Sequence, residues 1–186
     1  MTRIVAGMLG GRRIQAPPGR DTRPSSDRVR EALFSTLQTL VDIEGCRFAD
    51  LYAGSGAVGL EAASRGAAAV LLVEADPRAV RTVRSNIATL DLAARCRALT
   101  ARLPGALATG PGEAPYDVIF ADPPYDVPND EIGELLRALL AYRWLARGAL
   151  VVVERSSRSG PPPVVEGITL QRSRRYGESV LWYFAH

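Results

Sequence analysis

Residues 47–74 constrain the fold more than any other stretch. Arg47–Tyr52 reads as a strand, Ala53–Gly59 as a glycine-rich turn, Leu60–Arg65 as a helix closed by Gly66, and Ala68–Val73 as a second strand ending at Glu74. Two strands joined through a helix run parallel, with a right-handed crossover. The same alternation continues. Asp76 caps a helix with Pro77 in its first position, and Val80, Val83, Ile87 and Leu90 form its buried stripe. Strands follow at Arg95–Thr100, Val118–Ala121 and Ala149–Glu154, with a helix marked by Ile132, Leu135, Leu136, Leu139 and Leu140 before the last of them. A hairpin of Ile168–Arg172 and Val180–Phe184, turning at Tyr176-Gly177-Glu178, makes the final edge antiparallel. The expectation is an α/β fold with helices on both faces of a mostly parallel seven-stranded sheet.

Arg3–Gly7 and Gly11–Gln15 predict a β-hairpin ahead of the sheet, ended by Pro17-Pro18-Gly19. A helix then opens near Ser25, Ser26 and Asp27, with Val29, Leu33 and Leu37 on its apolar face. The charge is uneven. Residues 1–30 hold seven arginines and two acids, a net of +5, whereas the whole chain is only +3. A basic hairpin suggests a nucleic-acid arm over residues 1–22, followed by one domain over 23–186. Its candidate phosphate contacts are Arg3, Arg12, Arg13, Arg20 and Arg23.

Other features exclude function classes. The only histidine is the last residue, His186, which argues against a His-based triad or a multi-His metal site. Cys46 and Cys96 form no CxxC pair and read as reduced core residues. No apolar run approaches membrane-span length, and no signal-peptide core is visible, so a cytoplasmic protein is expected.

Two motifs carry chemistry. Gly54-Ser55-Gly56-Ala57-Val58-Gly59 matches G-x-G-x-x-G, and Glu74 stands 20 residues after Gly54. Glycines let a cofactor approach the backbone, and an acid at the next strand end can accept from ribose hydroxyls. The loop alone fits a dinucleotide or S-adenosylmethionine (SAM). Asp50, just before it, could face a ligand's ammonium group, which leans toward SAM. The second motif is Asp122-Pro123-Pro124-Tyr125, directly after the buried strand Val118–Ala121. Its prolines hold rigid carbonyls without N–H donors. Asp122 adds a charged acceptor and Tyr125 a flat face for stacking. This set suits a planar group bearing an exocyclic amine.

Together, Asp50-Leu51-Tyr52-Ala53-Gly54-Ser55-Gly56, Glu74 and Asp122-Pro123-Pro124-Tyr125 resemble a class I SAM-dependent methyltransferase that acts on amines. Arg3-Ile4-Val5-Ala6-Gly7, the stretch from Arg23-Pro24 to Phe34, and Tyr176-Gly177 narrow the resemblance to the RsmD-type 16S rRNA guanine-N2 methyltransferases. That resemblance covers nearly the whole chain. It implies a Rossmann-like fold and a bacterial, cytoplasmic enzyme with SAM as methyl donor; a monomer is expected. Its implied substrate is a guanine of 16S rRNA in a partly assembled small subunit. Asp50, Tyr52, Ala53, Gly54, Ser55, Gly56, Glu74 and Asp122 would bind the cofactor, and Asp122, Pro123, Pro124 and Tyr125 would be catalytic. After the third strand, Ala101-Arg102 lacks the acid that many such enzymes place near the cofactor's adenine, so no adenine contact is assigned. The alternatives are methylation of adenine N6 in DNA and a non-catalytic dinucleotide- or RNA-binding protein.

Overall fold

The computed structural model describes residues 2–17 and 24–186, and among these the side chains of residues 24–26 are not described. Arg20 and Arg23, two of the expected RNA contacts, therefore lie outside the described residues, as do the side chains of the expected helix caps Ser25 and Ser26.

Two compact units divide the chain, Met1–Ala101 and Arg102–His186. In the first unit, strands β1 (Thr2–Arg3) and β2 (Arg13–Ile14) form an antiparallel pair. Helix α1 (Pro24–Leu37) follows, then β3 (Arg47–Leu51), α2 (Ala57–Ser64), β4 (Ala69–Glu74), α3 (Pro77–Thr89) and β5 (Cys96–Thr100). Strands β3, β4 and β5 pair in parallel. Both faces of β4 are covered, so Val70–Val73 is a continuous apolar run, all of it buried. Asp76 caps α3 by accepting from the Arg78 amide at 2.8 Å, with Pro77 at the first helical position.

The second unit holds a short 3-10 helix (Gly105–Thr109), β6 (Tyr116–Ala121), α4 (Asn129–Ala141), β7 (Leu145–Ser156), β8 (Thr169–Tyr176) and β9 (Ser179–Ala185). Strands β6 and β7 are parallel, and β9 is antiparallel to both β7 and β8. Trp144 stacks on Tyr116 at 5.6 Å and donates its indole N–H to the Leu107 carbonyl at 2.8 Å. That bond satisfies the one polar atom of a large buried ring.

The seven longer strands form one mostly parallel sheet in the order β5-β4-β3-β6-β7-β9-β8, so the expected α/β architecture with an N-terminal hairpin is found. Among the described residues no helix is long and apolar enough to cross a membrane, and both cysteines are free and buried.

Candidate active site

In the first unit the glycine turn is shaped by backbone torsion and by two acids. Within five residues, Tyr52, Gly54 and Gly56 adopt φ of 67°, 57° and 80°. A Cβ at Gly56 would stand 3.0 Å from Leu72 Cδ2 and 3.3 Å from Val83 Cγ1, so a side chain there meets both torsional strain and a packed core. The turn is tied back to β4, because the Ala53 amide donates to the Val73 carbonyl at 2.9 Å.

Glu74, at the end of β4 and 8% exposed, accepts from the Gly54 amide at 2.9 Å and, through its other oxygen, from the Asp76 amide at 2.9 Å. Asp50 is 2% exposed and accepts from the Gly59 amide at 2.8 Å, which tethers the first turn of α2 to β3. Burial pushes the Asp50 carboxyl up from its ordinary 3.8 to about 7. The nearby charge of Glu74 adds to that rise, and the Gly59 hydrogen bond opposes it. Asp50, Tyr52–Gly56 and Glu74 thus stand together around one turn.

In the second unit, β6 stays buried through Ala121 and the chain then surfaces. Asp122 is exposed, Pro123 is buried, and Pro124 and Tyr125 are exposed. The turn closes where the Val127 amide donates to the Pro124 carbonyl at 3.1 Å. Arg155 of β7, almost fully buried, donates to the Val127 carbonyl at 2.6 Å and so anchors the far side of the turn. Asn129, at the start of α4, donates to the carbonyls of Ser159 and Pro161 at 2.7 and 3.1 Å. The four expected catalytic residues are thereby held on a short turn with fixed ends.

The N-terminal hairpin is docked on its own unit. The amides of Val5 and Ala6 donate to the two carboxylate oxygens of Glu61 at 2.7 and 2.9 Å. Met8 and Leu9 donate to the carbonyl and hydroxyl of Ser64 at 2.8 and 3.0 Å. Gly7 passes so close that a Cβ would sit 2.0 Å from the Ser64 carbonyl oxygen, so only glycine fits. Glu61, with no exposed surface, also pairs with Arg65 at 2.8 Å and Arg30 at 3.6 Å.

Asn86 of α3 accepts from the Gln15 amide at 2.8 Å and donates to the Gln15 carbonyl at 3.0 Å and the Ser55 carbonyl at 3.1 Å. One buried amide therefore joins the hairpin to the glycine turn. Sequence reasoning passed over Glu61 and Asn86. The available signal was a polar residue on a buried helix face, Asn86 one turn from Val83 and Glu61 among small apolar residues. Arg3, Arg12 and Arg13 are exposed, and Arg3 stands directly across from Arg13 in the β1–β2 pair.

A strand, a glycine turn, a helix and a strand-end acid, on a parallel sheet closed by an antiparallel hairpin, make a Rossmann-like fold, and the relatives that share it are named methyltransferases. Within that class the chain belongs to the family described as Conserved hypothetical protein 95, whose family model matches residues 2–185. Ribosomal RNA small subunit methyltransferase D of Escherichia coli K12 is 35% identical over 176 residues, 95% of this chain and 85% of that protein. Among solved structures, Escherichia coli yhhF, provisionally named a methyltransferase, is 33% identical with a TM-score of 0.85, covering 99% of this chain and 97% of that one. A protein of Thermus thermophilus is 36% identical with a TM-score of 0.77, covering 98% of both chains.

Proposed function

We propose that this protein methylates the exocyclic N2 of one guanine in 16S rRNA, within a partly assembled small ribosomal subunit in the bacterial cytoplasm. It acts as a monomer. The observation that carries the reading is the anchored Asp122-Pro123-Pro124-Tyr125 turn, which follows β6 in a chain related to small-subunit rRNA methyltransferases.

SAM is the methyl donor and supplies an electrophilic methyl group on a sulfonium. The first unit fits it. Gly54 and Gly56 supply the positive-φ backbone of the turn that would lie against it. A carboxylate has about four acceptor positions, and Glu74 uses two on Gly54 and Asp76, so it retains capacity for ribose hydroxyls. Asp50 provides a carboxyl group ahead of the turn, and Tyr52, Ala53 and Ser55 complete the lining.

Guanine N2 is a poor nucleophile because its lone pair is delocalised into the ring. Asp122 and the Pro123 carbonyl accept its two N–H bonds. This draws the nitrogen toward tetrahedral geometry and stabilises the positive charge that would develop as the N–C bond forms and the methyl–sulfur bond breaks. Asp122 then takes the displaced N2 proton. Pro124 holds the turn rigid, and Tyr125 stacks on the unpaired base. Most of the acceleration comes from positioning the two substrates. Residues 1–22 act as an RNA arm and residues 23–186 as the catalytic domain. The direct opposition of Arg3 and Arg13 supports an anion between them, since like charges facing each other across a strand pair are otherwise unfavourable. Arg12, Arg20 and Arg23 are the other proposed phosphate contacts.

The test is transfer of a tritiated methyl group onto 16S rRNA, DNA and immature small subunits, followed by nucleoside analysis. N2-methylguanosine from RNA is the expected product. Label in N6-methyladenine of DNA would replace this reading with its alternative, and absence of transfer to any substrate would remove the enzymatic one.

A further inference from the structure

We propose that β8 is a second RNA-binding surface, which holds the phosphates beside the target nucleotide. The proposal rests on the rRNA reading above. Strand β8 is the outer strand of the sheet, and six of its eight residues are exposed, with Arg172 and Tyr176 half-buried. It carries Arg172, Arg174 and Arg175 and no acid. The rest of residues 102–186 hold six arginines against ten acids, so the positive charge of this unit is concentrated in one strand. Among the described residues no carboxylate pairs with these three arginines. Arg175 donates its Nε to the Gly177 carbonyl at 3.0 Å, which orients the guanidinium. Charge on an edge strand discourages edge-to-edge pairing, but that role needs no alignment with the catalytic turn.

The register provides such an alignment. Ala121 pairs with Val153, Val153 with Trp182, and Trp182 with Ser173. The next row runs from Glu154 through Leu181 to Arg174, and the one after it from Arg155 through Val180 to Arg175. Asp122 directly follows Ala121, so it continues the row that ends at Arg174. Three strand spacings separate the two, about 14 Å at roughly 4.8 Å each. A base held at Asp122 therefore leaves its neighbouring phosphates within reach of β8, where arginine forks bind phosphate oxygens in pairs. Phosphate contacts position the strand, and the turn at Asp122 selects the base.

The test is the full chain carrying Arg172→Ser, Arg174→Ser and Arg175→Ser together. Filter binding to a 16S rRNA fragment across a salt series should show weaker affinity. Its log–log salt slope should be flatter by about 2, from three lost contacts at about 0.7 each on single-stranded RNA. The affinity for SAM should match wild type and the melting temperature should fall only slightly, because Arg174 and Arg175 are exposed and Arg172 is half-buried. The triple Arg→Lys variant should recover most of the slope. An unchanged slope and affinity in the serine variant, with wild type methylating RNA normally, overturns this proposal alone. A variant that binds naked RNA normally and fails only on protein-containing particles also overturns it, because β8 would then meet a protein. A wild-type chain that methylates no RNA overturns both this proposal and the substrate reading on which it rests.

Discussion

Replacing Asn86 by alanine tests whether the hairpin and the cofactor turn are mechanically joined. The substitution removes three hydrogen bonds of 2.8, 3.0 and 3.1 Å, two to Gln15 and one to Ser55, at a site that is 2% exposed. At about 1 kcal/mol net for each bond, folding stability should fall by about 3 kcal/mol. Only the Ser55 bond bears on the cofactor turn. Its loss should raise the Kd for SAM by about fivefold, the equivalent of about 1 kcal/mol. Denaturant unfolding and calorimetric titration with SAM read the two effects separately. Asn86→Asp should harm the turn more than Asn86→Ala, since a carboxylate would then face the Gln15 and Ser55 carbonyl oxygens. Arg13→Ala, exposed on the same hairpin, should leave both quantities unchanged. A Kd for SAM within twofold of wild type, alongside the loss of stability, would refute the coupling and leave Asn86 as a peg for the hairpin only.

Asp50 sets a pH dependence. Its carboxyl is pushed up to about 7 when folded, against an ordinary 3.8. The favourable contribution is thus complete below about pH 4 and is lost as pH rises through about 7. Asp50→Asn should therefore gain stability relative to wild type across that window, and parallel denaturation curves from pH 4 to 8 would contradict this. Gly56→Ala combines a φ of 80° with a Cβ 3.0 Å from Leu72; it should lower stability by about 1–3 kcal/mol, seen as a lower Tm. Asp122→Ala should reduce single-turnover methyl transfer by about 10²-fold or more with SAM affinity largely kept, and Asp122→Asn should be milder because its amide oxygen still accepts one N–H. If the two variants are equally slow, charge matters more than acceptor geometry.

Local sequence reveals the parts of the fold governed by short-range rules. The buried run Val70–Val73, the Asp76 cap with Pro77, and the strand–glycine turn–helix order around Gly54–Gly59 each depend on residues a few positions apart. The hairpin is less legible. The sequence predicts two strands of five residues, and the structure pairs Thr2–Arg3 with Arg13–Ile14, with Ile4 adding backbone bonds to Arg12 and Gly11. Other backbone amides of the expected strands bond to distant side chains: Val5 and Ala6 go to Glu61, 56 and 55 residues away, and Gln15 to Asn86, 71 away. No local periodicity reports such partners. The sequence also predicts that β8 ends at Arg172, ahead of the turn at Tyr176-Gly177-Glu178. Its ladder with β9 instead continues to Tyr176, since pairing to a neighbour outweighs intrinsic preference. Asp50 and Glu74 are recognisable as acids beside a glycine turn, but their bonds to Gly59 and Gly54 depend on how the turn folds back.

Glu61 also has a consequence for how the chain is made. Val5 and Ala6 leave the ribosome before the carboxylate that receives their amides exists. At about 5–20 residues per second, the intervening 56 residues take about 3–11 s to synthesise. During that time Ile4 and Ile14, both buried in the finished protein, have no surface on which to settle. Helix α2 in turn emerges with an acid that belongs in the interior and needs the waiting N-terminus to cover it. Each segment completes the other, so the segment around Val5 and Ala6 docks only after Glu61 has been synthesised.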